Sequence, residues 1–402
     1  MKKKLCKITA LLLAAALSLG GCGQPGAGKK STDSTQQAEE QTWDTKDDQS
    51  KSDKKGPEIE GLTYESTMDL TYATEFDVYY YKDGYKLLDV HEDRQYLVVP
   101  EGKEAPEGLP ENLVVLQQPL DHIYMAATAI MSLVDAVDAI DQIKFSGVNA
   151  SGWYVEDAKK AMESGDMIYA GKYSEPDYET LVNGECDLAV ESTMILHTPK
   201  VQEMIEDLDI PVFVDYSSYE SHPLGRTEWI KLYGAMLNKE DAADRFFEEQ
   251  AQVIEKLKGF ENTEKTVVYF YVNTDGSIVV RKSEDYIPSM IEIAGGRYAF
   301  KNLKNADSNA PSVKLTMEEF YATAVDADYL IYTIDGQVKS ISDLEAKSNL
   351  FSEFKAVKEG NVWYTGKNLY QATDTVGELI MDMHLMLTDG DPKEMTFLEK
   401  MK

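Results

Sequence analysis

The sequence predicts an α/β protein with two βα (Rossmann-like) lobes joined by one long helix, a ligand cleft between the lobes and an antiparallel β extension near the N-terminus. Three observations carry this. From Leu113 short apolar runs alternate with helical stretches, the rhythm of right-handed βα units on a mainly parallel sheet. The same rhythm restarts after Gly259, beyond a helical stretch from about Lys239 to Lys258. Ahead of both, "FDVYYYKDGYKLLDVHEDRQYLVVP" (Phe76–Pro100) places β-rich runs on either side of Asp83-Gly84, a hairpin signal.

The chain opens with "MKKKLCKITALLLAAALSLGGCG". Its lysines, its run of about 13 mostly apolar residues and the small residues that follow have the layout of a secretory signal too short to span a bilayer. Leu19-Gly20-Gly21-Cys22 resembles a bacterial lipobox, which implies removal of residues 1–21 and lipidation of Cys22. Cys6 then leaves with the signal, and Cys186 is the lone thiol of the exported part, unable to form an intrachain disulfide. Residues 22–60 are polar and charged, with Trp43 and Ile59 almost the only large apolar side chains, and read as a flexible tether.

About 340 residues remain to fold, more than one core usually serves. The expected division is an N-terminal lobe over 61–238, an interlobe helix over 239–258 and a C-terminal lobe over 259–402. Loss of the signal leaves 36 basic against 71 acidic residues. That balance argues against a nucleic-acid partner. No later segment is long and apolar enough to cross a membrane as a helix. The expected location is the extracytoplasmic face of the cell membrane, held by the lipid.

Each element has its own signal. "LVVL" precedes a small-residue helix around Ala126 to Ala139, "IKFSG" a helix from about Glu156, "MIYAG" one near Pro176 and "DLAVES" one from about Pro199; "IPVFVD" closes the series. In the next helix Ser221 and Pro223 mark a start, Trp229, Tyr233, Met236 and Leu237 recur at helical spacing, and Asn238 suits a left-handed C′ position. The long helix carries Ala243, Phe246, Phe247, Ile254 and Leu257 on one side and stops at Gly259. Beyond it "TVVYFYV" and "SIVV" are strands, "IPSMIEIAGG" is a helix, and "MEEFYATAVDADYLIY" is a helix and a strand. The last echoes "YETLVNGECDLAV": Glu179 stands eight residues before Asp187, and Glu319 nine before Asp328, as two similar lobes would give.

The chemistry-bearing motifs are few. His91, His122, His197, His222 and His384 are scattered singly, so no metal-ligand cluster is expected. Phosphate loops and a Gly-x-Ser-x-Gly elbow are missing, and Cys186 reads as a structural thiol. No catalytic residue and no resident cofactor is assigned. "SSYESHPLGRTEWIKLYG" (Ser217–Gly234) crowds Tyr219, Glu220, His222 and Arg226 behind "IPVFVD" and admits three readings: an acid–base centre, a locally paired helix cap, or a ligand clamp in which Arg226 offers a planar fork to an anionic oxygen. Loops after the carboxyl ends of parallel strands form ligand crevices. Such loops also hold Lys172 and Tyr173, Ser192 and Thr193, and Lys367 and Tyr370, a set suited to a flat or anionic ligand.

From about Leu113 to Leu387 the chain resembles the lipid-anchored substrate-binding proteins of ABC importers for ferric siderophores, haem and cobalamin. The motifs stand in family order: "YAGKYSEPDYETLVNGECDLAVES", "LDIPVFVD", "HPLGRTEWIKLYGAMLNKEDAADRFFEEQ", "MIEIAGGRYAF" and "FKAVKEGNVWYTG". The resemblance implies ligand contacts from Tyr173, Ser192, Thr193 and Tyr370, with Lys172 and Arg226 beside them. It also implies docking of a permease by one glutamate per lobe: Glu284 matches the C-lobe position, and Glu203 stands in the N-lobe, one turn from Lys200. The function implied is capture of an iron complex, a ferric siderophore, by a monomer that delivers it to a permease and its ATPase. Haem and cobalamin are alternatives within the family; a surface hydrolase and a peptide or adhesion module are alternatives outside it.

Overall fold

The computed structural model describes residues 55–91, 93–110, 112–303, 312–333 and 338–402. The signal segment, Cys22 and the tether as far as residue 54 lie outside them. The N-terminal extension is a five-stranded sheet in chain order: β1 (Tyr64–Thr67), β2 (Phe76–Tyr81), β3 (Lys86–Val90), β4 (Gln95–Val99) and β5 (Leu113–Gln117). Asp83 (φ 65°) and Gly84 (φ 86°) turn β2 into β3 with two left-handed residues, which the right-handed twist of a hairpin favours. Strict alternation buries both faces. Val78, Leu88, Tyr96, Val98 and Leu116 join the core of the adjoining lobe, while Tyr79, Tyr81, Leu87, Leu97 and Val99 form a cluster on the other side. Ile59 and Leu62 pack on that second face and the Tyr81 hydroxyl donates to the Pro57 carbonyl at 2.6 Å, so the last residues assigned to the tether are held on the sheet.

"LVVL" is not the first strand of the lobe's parallel sheet. It is β5, parallel to β4 over Gln95–Val99. Only a few residues separate it from β6 (Ile123–Met125), too few for the crossover that parallel neighbours need. The N-lobe sheet runs β12-β11-β6-β7-β8, all parallel, with β7 (Ile143–Ser146), β8 (Ile168–Tyr169), β11 (Leu188–Ser192) and β12 (Val212–Asp215). A small hairpin, β9 (Gly171–Lys172) with β10 (Glu175–Pro176), follows β8. Helices α1 (Met131–Ala136), α2 (Glu156–Ser164), α3 (Tyr178–Asn183) and α4 (Pro199–Glu206) connect the strands. α1 is shorter than its small residues predict because the Ala126 and Ala127 amides are tied to the Val190 carbonyl of β11.

Helix α5 (Pro223–Leu237) ends at Asn238, left-handed at φ 57°, and α6 (Glu240–Glu255) follows at once. Ala243 and Phe247 of α6 lie in the N-lobe core, Leu257 just beyond it lies in the C-lobe core, and Ile254 packs against both. The C-lobe comprises β13 (Thr266–Val272), β14 (Ile278–Arg281), α7 (Tyr286–Ile293), β15 (Arg297–Tyr298), β16 (Ser312–Leu315), α8 (Met317–Ala324), β17 (Tyr329–Tyr332), α9 (Ile341–Lys347), α10 (Lys355–Glu359), β18 (Val362–Thr365), α11 (Val376–Leu387) and β19 (Leu398–Lys400). Its sheet order is β16-β14-β13-β17-β18-β19, with β15 beside β13. β13, β15, β17 and β18 are parallel; β14, β16 and β19 run against their neighbours. The turn between β13 and β14 is too short for a crossover, so those two strands form a hairpin.

The two lobes share one device. Asp187, just before β11, accepts the Asp121 and His122 amides at 2.8 and 2.9 Å at the start of β6. Asp328, just before β17, accepts the Thr266 amide at 2.7 Å at the start of β13. In each lobe one aspartate thus pins the amino end of the neighbouring parallel strand, which is the physical content of the sequence echo.

Candidate functional site

A cavity of about 360 Å³ opens where the two lobes meet. From the N-lobe come Thr128 and Ala129 after β6, Ser192 at the end of β11 and Arg226 after β12; from the C-lobe come Tyr269 and Tyr271 of β13, Arg281, Tyr286, Thr333 after β17 and Tyr370 after β18. Thr128, Ala129, Ser192, Arg226, Thr333 and Tyr370 follow carboxyl ends of parallel strands, where open α/β sheets form ligand crevices. Hydrogen bonds join the lobes around it. The Gln371 side chain accepts from the Tyr154 amide and donates to the Gly152 carbonyl, both at 2.8 Å, Thr227 Oγ1 donates to the Thr373 carbonyl at 3.0 Å, and Ser289 Oγ to the Ser221 carbonyl at 3.1 Å.

The segment Ser217–Gly234 is explained by what it grips. Glu228, fully buried on α5, accepts the amides of Thr71, Tyr72 and Ala73 at 2.7–3.1 Å. Glu220 accepts the amides of Thr74 and Glu75, the Thr74 hydroxyl and the Trp229 indole N–H. Two carboxylates therefore hold the β1–β2 loop against the start of α5, each through charge-assisted hydrogen bonds worth about 1.5–3 kcal/mol apiece. Burial still lifts the Glu220 carboxyl above its usual range, against these donors. His222, not Ser221, is the N-cap: its Nδ1 accepts the Leu224 amide at 3.1 Å and its ring stacks on Tyr72 at 4.4 Å. Burial pushes His222 down to about 4, which keeps the ring neutral and able to accept. Gly225 permits the close approach, since a Cβ there would lie 3.0 Å from a Glu220 oxygen and 3.1 Å from the Tyr72 carbonyl.

That brace fixes where Arg226 stands. Its guanidinium lies 4.2 Å from the centre of the Tyr286 ring, and its Nε is buried with no hydrogen-bond partner among the described residues. Arg281, on the same ring at 5.4 Å, is paired: Nε and Nη2 donate to the two oxygens of Asp285 at 2.9 and 2.7 Å. Asp215, buried behind α5, is raised by burial; Ser217, Tyr233 and the charge of Arg226 oppose the rise. The locally paired reading of Glu220 with Arg226 is thus replaced: Glu220 holds the loop, and Arg226 faces the cavity.

Of the residues predicted from sequence, the lining includes Ser192, Arg226 and Tyr370 and omits Lys172, Tyr173 and Thr193. Lys172 pairs with Glu175 at 3.1 Å across the β9–β10 hairpin, and Tyr173 sits at its tip. Tyr370, half-exposed, meets Tyr154 edge to face at 6.3 Å across the lobes. Glu203 on α4 and Glu284 before α7 are both exposed. Sequence reasoning missed Arg281, Asp285 and Tyr286, although an Arg and an Asp four apart followed by Tyr was a readable signal. It also missed Glu191. That side chain is fully buried, neither oxygen has a hydrogen-bond partner among the described residues, and burial raises it well above the usual carboxylate range.

The described lining residues include no Asp, Glu, His or Cys, the side chains that most often hold a bare metal ion. One trio among the described residues, Asp121, His122 and Asp187, brings its ligand atoms within 4.8 Å. It lies at the amino ends of β6 and β11, whereas the cavity follows their carboxyl ends; Asp187 Oδ2 accepts two backbone amides and His122 Nδ1 lies 2.7 Å from Asp121 Oδ1, while Asp187 Oδ1 has no hydrogen-bond partner among the described residues.

The profile of a family described as periplasmic binding protein matches residues 127–369. An uncharacterized lipoprotein of Methanocaldococcus jannaschii is 26% identical over 301 residues, which is 70% of this chain and 69% of that protein. Among solved structures, an ABC transporter substrate-binding protein from Listeria monocytogenes is 19% identical, with a TM-score of 0.52 over 67% of this chain and 98% of that one. A periplasmic heme binding protein from Pseudomonas aeruginosa is 13% identical, with a TM-score of 0.55 over 70% and 98%. These two likenesses are of fold. The five-stranded sheet lies ahead of the matched segment.

Proposed function

This chain belongs to the periplasmic binding protein family, and from that premise we propose that it is the extracytoplasmic substrate-binding lipoprotein of an ABC importer, capturing an iron complex, a ferric siderophore, and handing it to a permease driven by its ATPase. The observation that carries the reading is the interlobe cavity, walled by tyrosines and by Arg226, with no acid, imidazole or thiol among its described lining residues. Such a lining suits a chelate that brings its own metal ligands, with aromatic faces for its body and a cation for its rim. Two features support anchoring at the outer membrane face: the Leu19-Gly20-Gly21-Cys22 motif and the lipoprotein name of the Methanocaldococcus relative. Among the described residues no helix is long and apolar enough to cross a membrane. On this reading the protein acts as a monomer and catalyses nothing.

Haem is the second reading, favoured by the tyrosines of the lining, since a tyrosine phenolate ligates haem iron in some proteins. The test is retention through gel filtration of radioactive iron offered to the full chain as a ferric siderophore, as haem or as bare ferric ion. The siderophore reading expects iron and chelator to elute together with the protein in equal amounts, and bare iron to be lost. Retention of bare iron alone, or of haem alone, overturns it.

A further inference from the structure

The charges around the cavity constrain the charge of what it holds. Two lining residues among those described carry a full positive charge, Arg226 and Arg281. Arg281 is neutralised, with both oxygens of the buried Asp285 on its guanidinium. Arg226 lies on the Tyr286 ring at 4.2 Å, and its buried Nε has no hydrogen-bond partner among the described residues. Asp215 opposes Arg226 from behind, but its oxygens are engaged by Ser217 at 2.6 Å and Tyr233 at 2.8 Å. The other polar groups of the lining, Thr128, Ser192, Thr333 and Thr373 among them, are neutral. The described cavity therefore compensates one negative charge and no more. Each further negative charge would be desolvated without a partner, and the chain's net charge of −31 repels polyanions before they arrive.

We infer that the ligand is a singly anionic complex: an uncharged metal core seated against the tyrosines, with one peripheral carboxylate-like oxyanion on Arg226. Polyanionic complexes are rejected. The inference rests on the iron-complex reading and narrows it, because a ferric ion held by three hydroxamates is neutral whereas one held by three catecholates is a trianion.

The experiment titrates the full chain by intrinsic fluorescence with four probes. Three share a linear ferric trihydroxamate core whose pendant amine is free, acetylated or succinylated, making the complex positive, neutral or singly negative; the fourth is a ferric tris-catecholate. The singly negative complex is expected to bind about tenfold more tightly than the neutral one, and the trianion about a hundredfold more weakly than the singly negative one. Arg226→Gln should erase the difference between the succinylated and acetylated arms. Equal or tighter binding of the trianion, indifference to the arm's charge, or a charge preference that survives Arg226→Gln would overturn the inference while leaving the iron reading in place. Silence of all four probes with a folded sample would remove the iron reading and this inference with it.

Discussion

Arg226 and Glu191 are two ionisable side chains one strand apart in the same lobe, and their surroundings make opposite demands. The Arg226 guanidinium lies against the Tyr286 face and borders the cavity. Glu191 is buried without a hydrogen-bond partner among the described residues, and burial favours its neutral form. A carboxyl whose folded pKa lies above its unfolded value of 4.5 contributes fully below that value and loses the contribution as pH rises toward the folded pKa. Glu191→Gln should therefore raise stability at pH 8 by about 1–3 kcal/mol, with the gain vanishing near pH 4. Urea unfolding at the two pH values checks this, and a constant or reversed difference would show that Glu191 is ionised and paired. His222 works the other way, since its depressed pKa of about 4 removes stability as pH falls below 6.5. Arg226 was legible in the sequence because a lone arginine behind a strand and a Pro-Leu-Gly helix start is conspicuous. Glu191 was not: "DLAVES" does not reveal that its acid points inward without a donor.

At the scale of elements, α5 and the β1–β2 loop behave as one piece. The loop's five amides, from Thr71 to Glu75, are satisfied by Glu220 and Glu228 rather than by strand pairing. Removing one carboxylate leaves buried amides without acceptors. Glu228→Gln should cost about 2–4 kcal/mol of stability and speed amide exchange at Thr71, Tyr72 and Ala73. Unchanged exchange there would mean that the loop is held by its apolar contacts instead. These long-range grips lay beyond sequence reading, since the partners stand some 150 positions apart and Glu-x-x-x-x-x-x-x-Glu has no local meaning. Local signals did better. Asp83-Gly84 made its hairpin, Asn238 took its left-handed cap, and the paired aspartates before β11 and β17 marked the repeat. "LVVL" misled because periodicity shows a buried strand without showing which sheet buries it.

For the whole molecule, the proposed function needs two lobes to meet and a permease to recognise the pair. Glu203 and Glu284 stand exposed, one on each lobe, as docking to a permease would require. Glu284→Lys should leave ligand affinity within about twofold and reduce uptake into cells by roughly tenfold or more. Normal uptake would remove Glu284 from the docking surface. The overall architecture was readable because strand–helix alternation is repeated through both lobes; the antiparallel strands β14, β16 and β19 were not, since direction depends on connection length and on edge pairing. The proposed function places iron, inside a chelate, in the interlobe cavity. Anomalous diffraction at the iron edge, from crystals grown with a ferric trihydroxamate, tests it most directly. One iron peak is expected in the cavity between Tyr286 and Tyr370, near Arg226; an empty cavity, or a peak at Asp121, His122 and Asp187 instead, would contradict the proposed function.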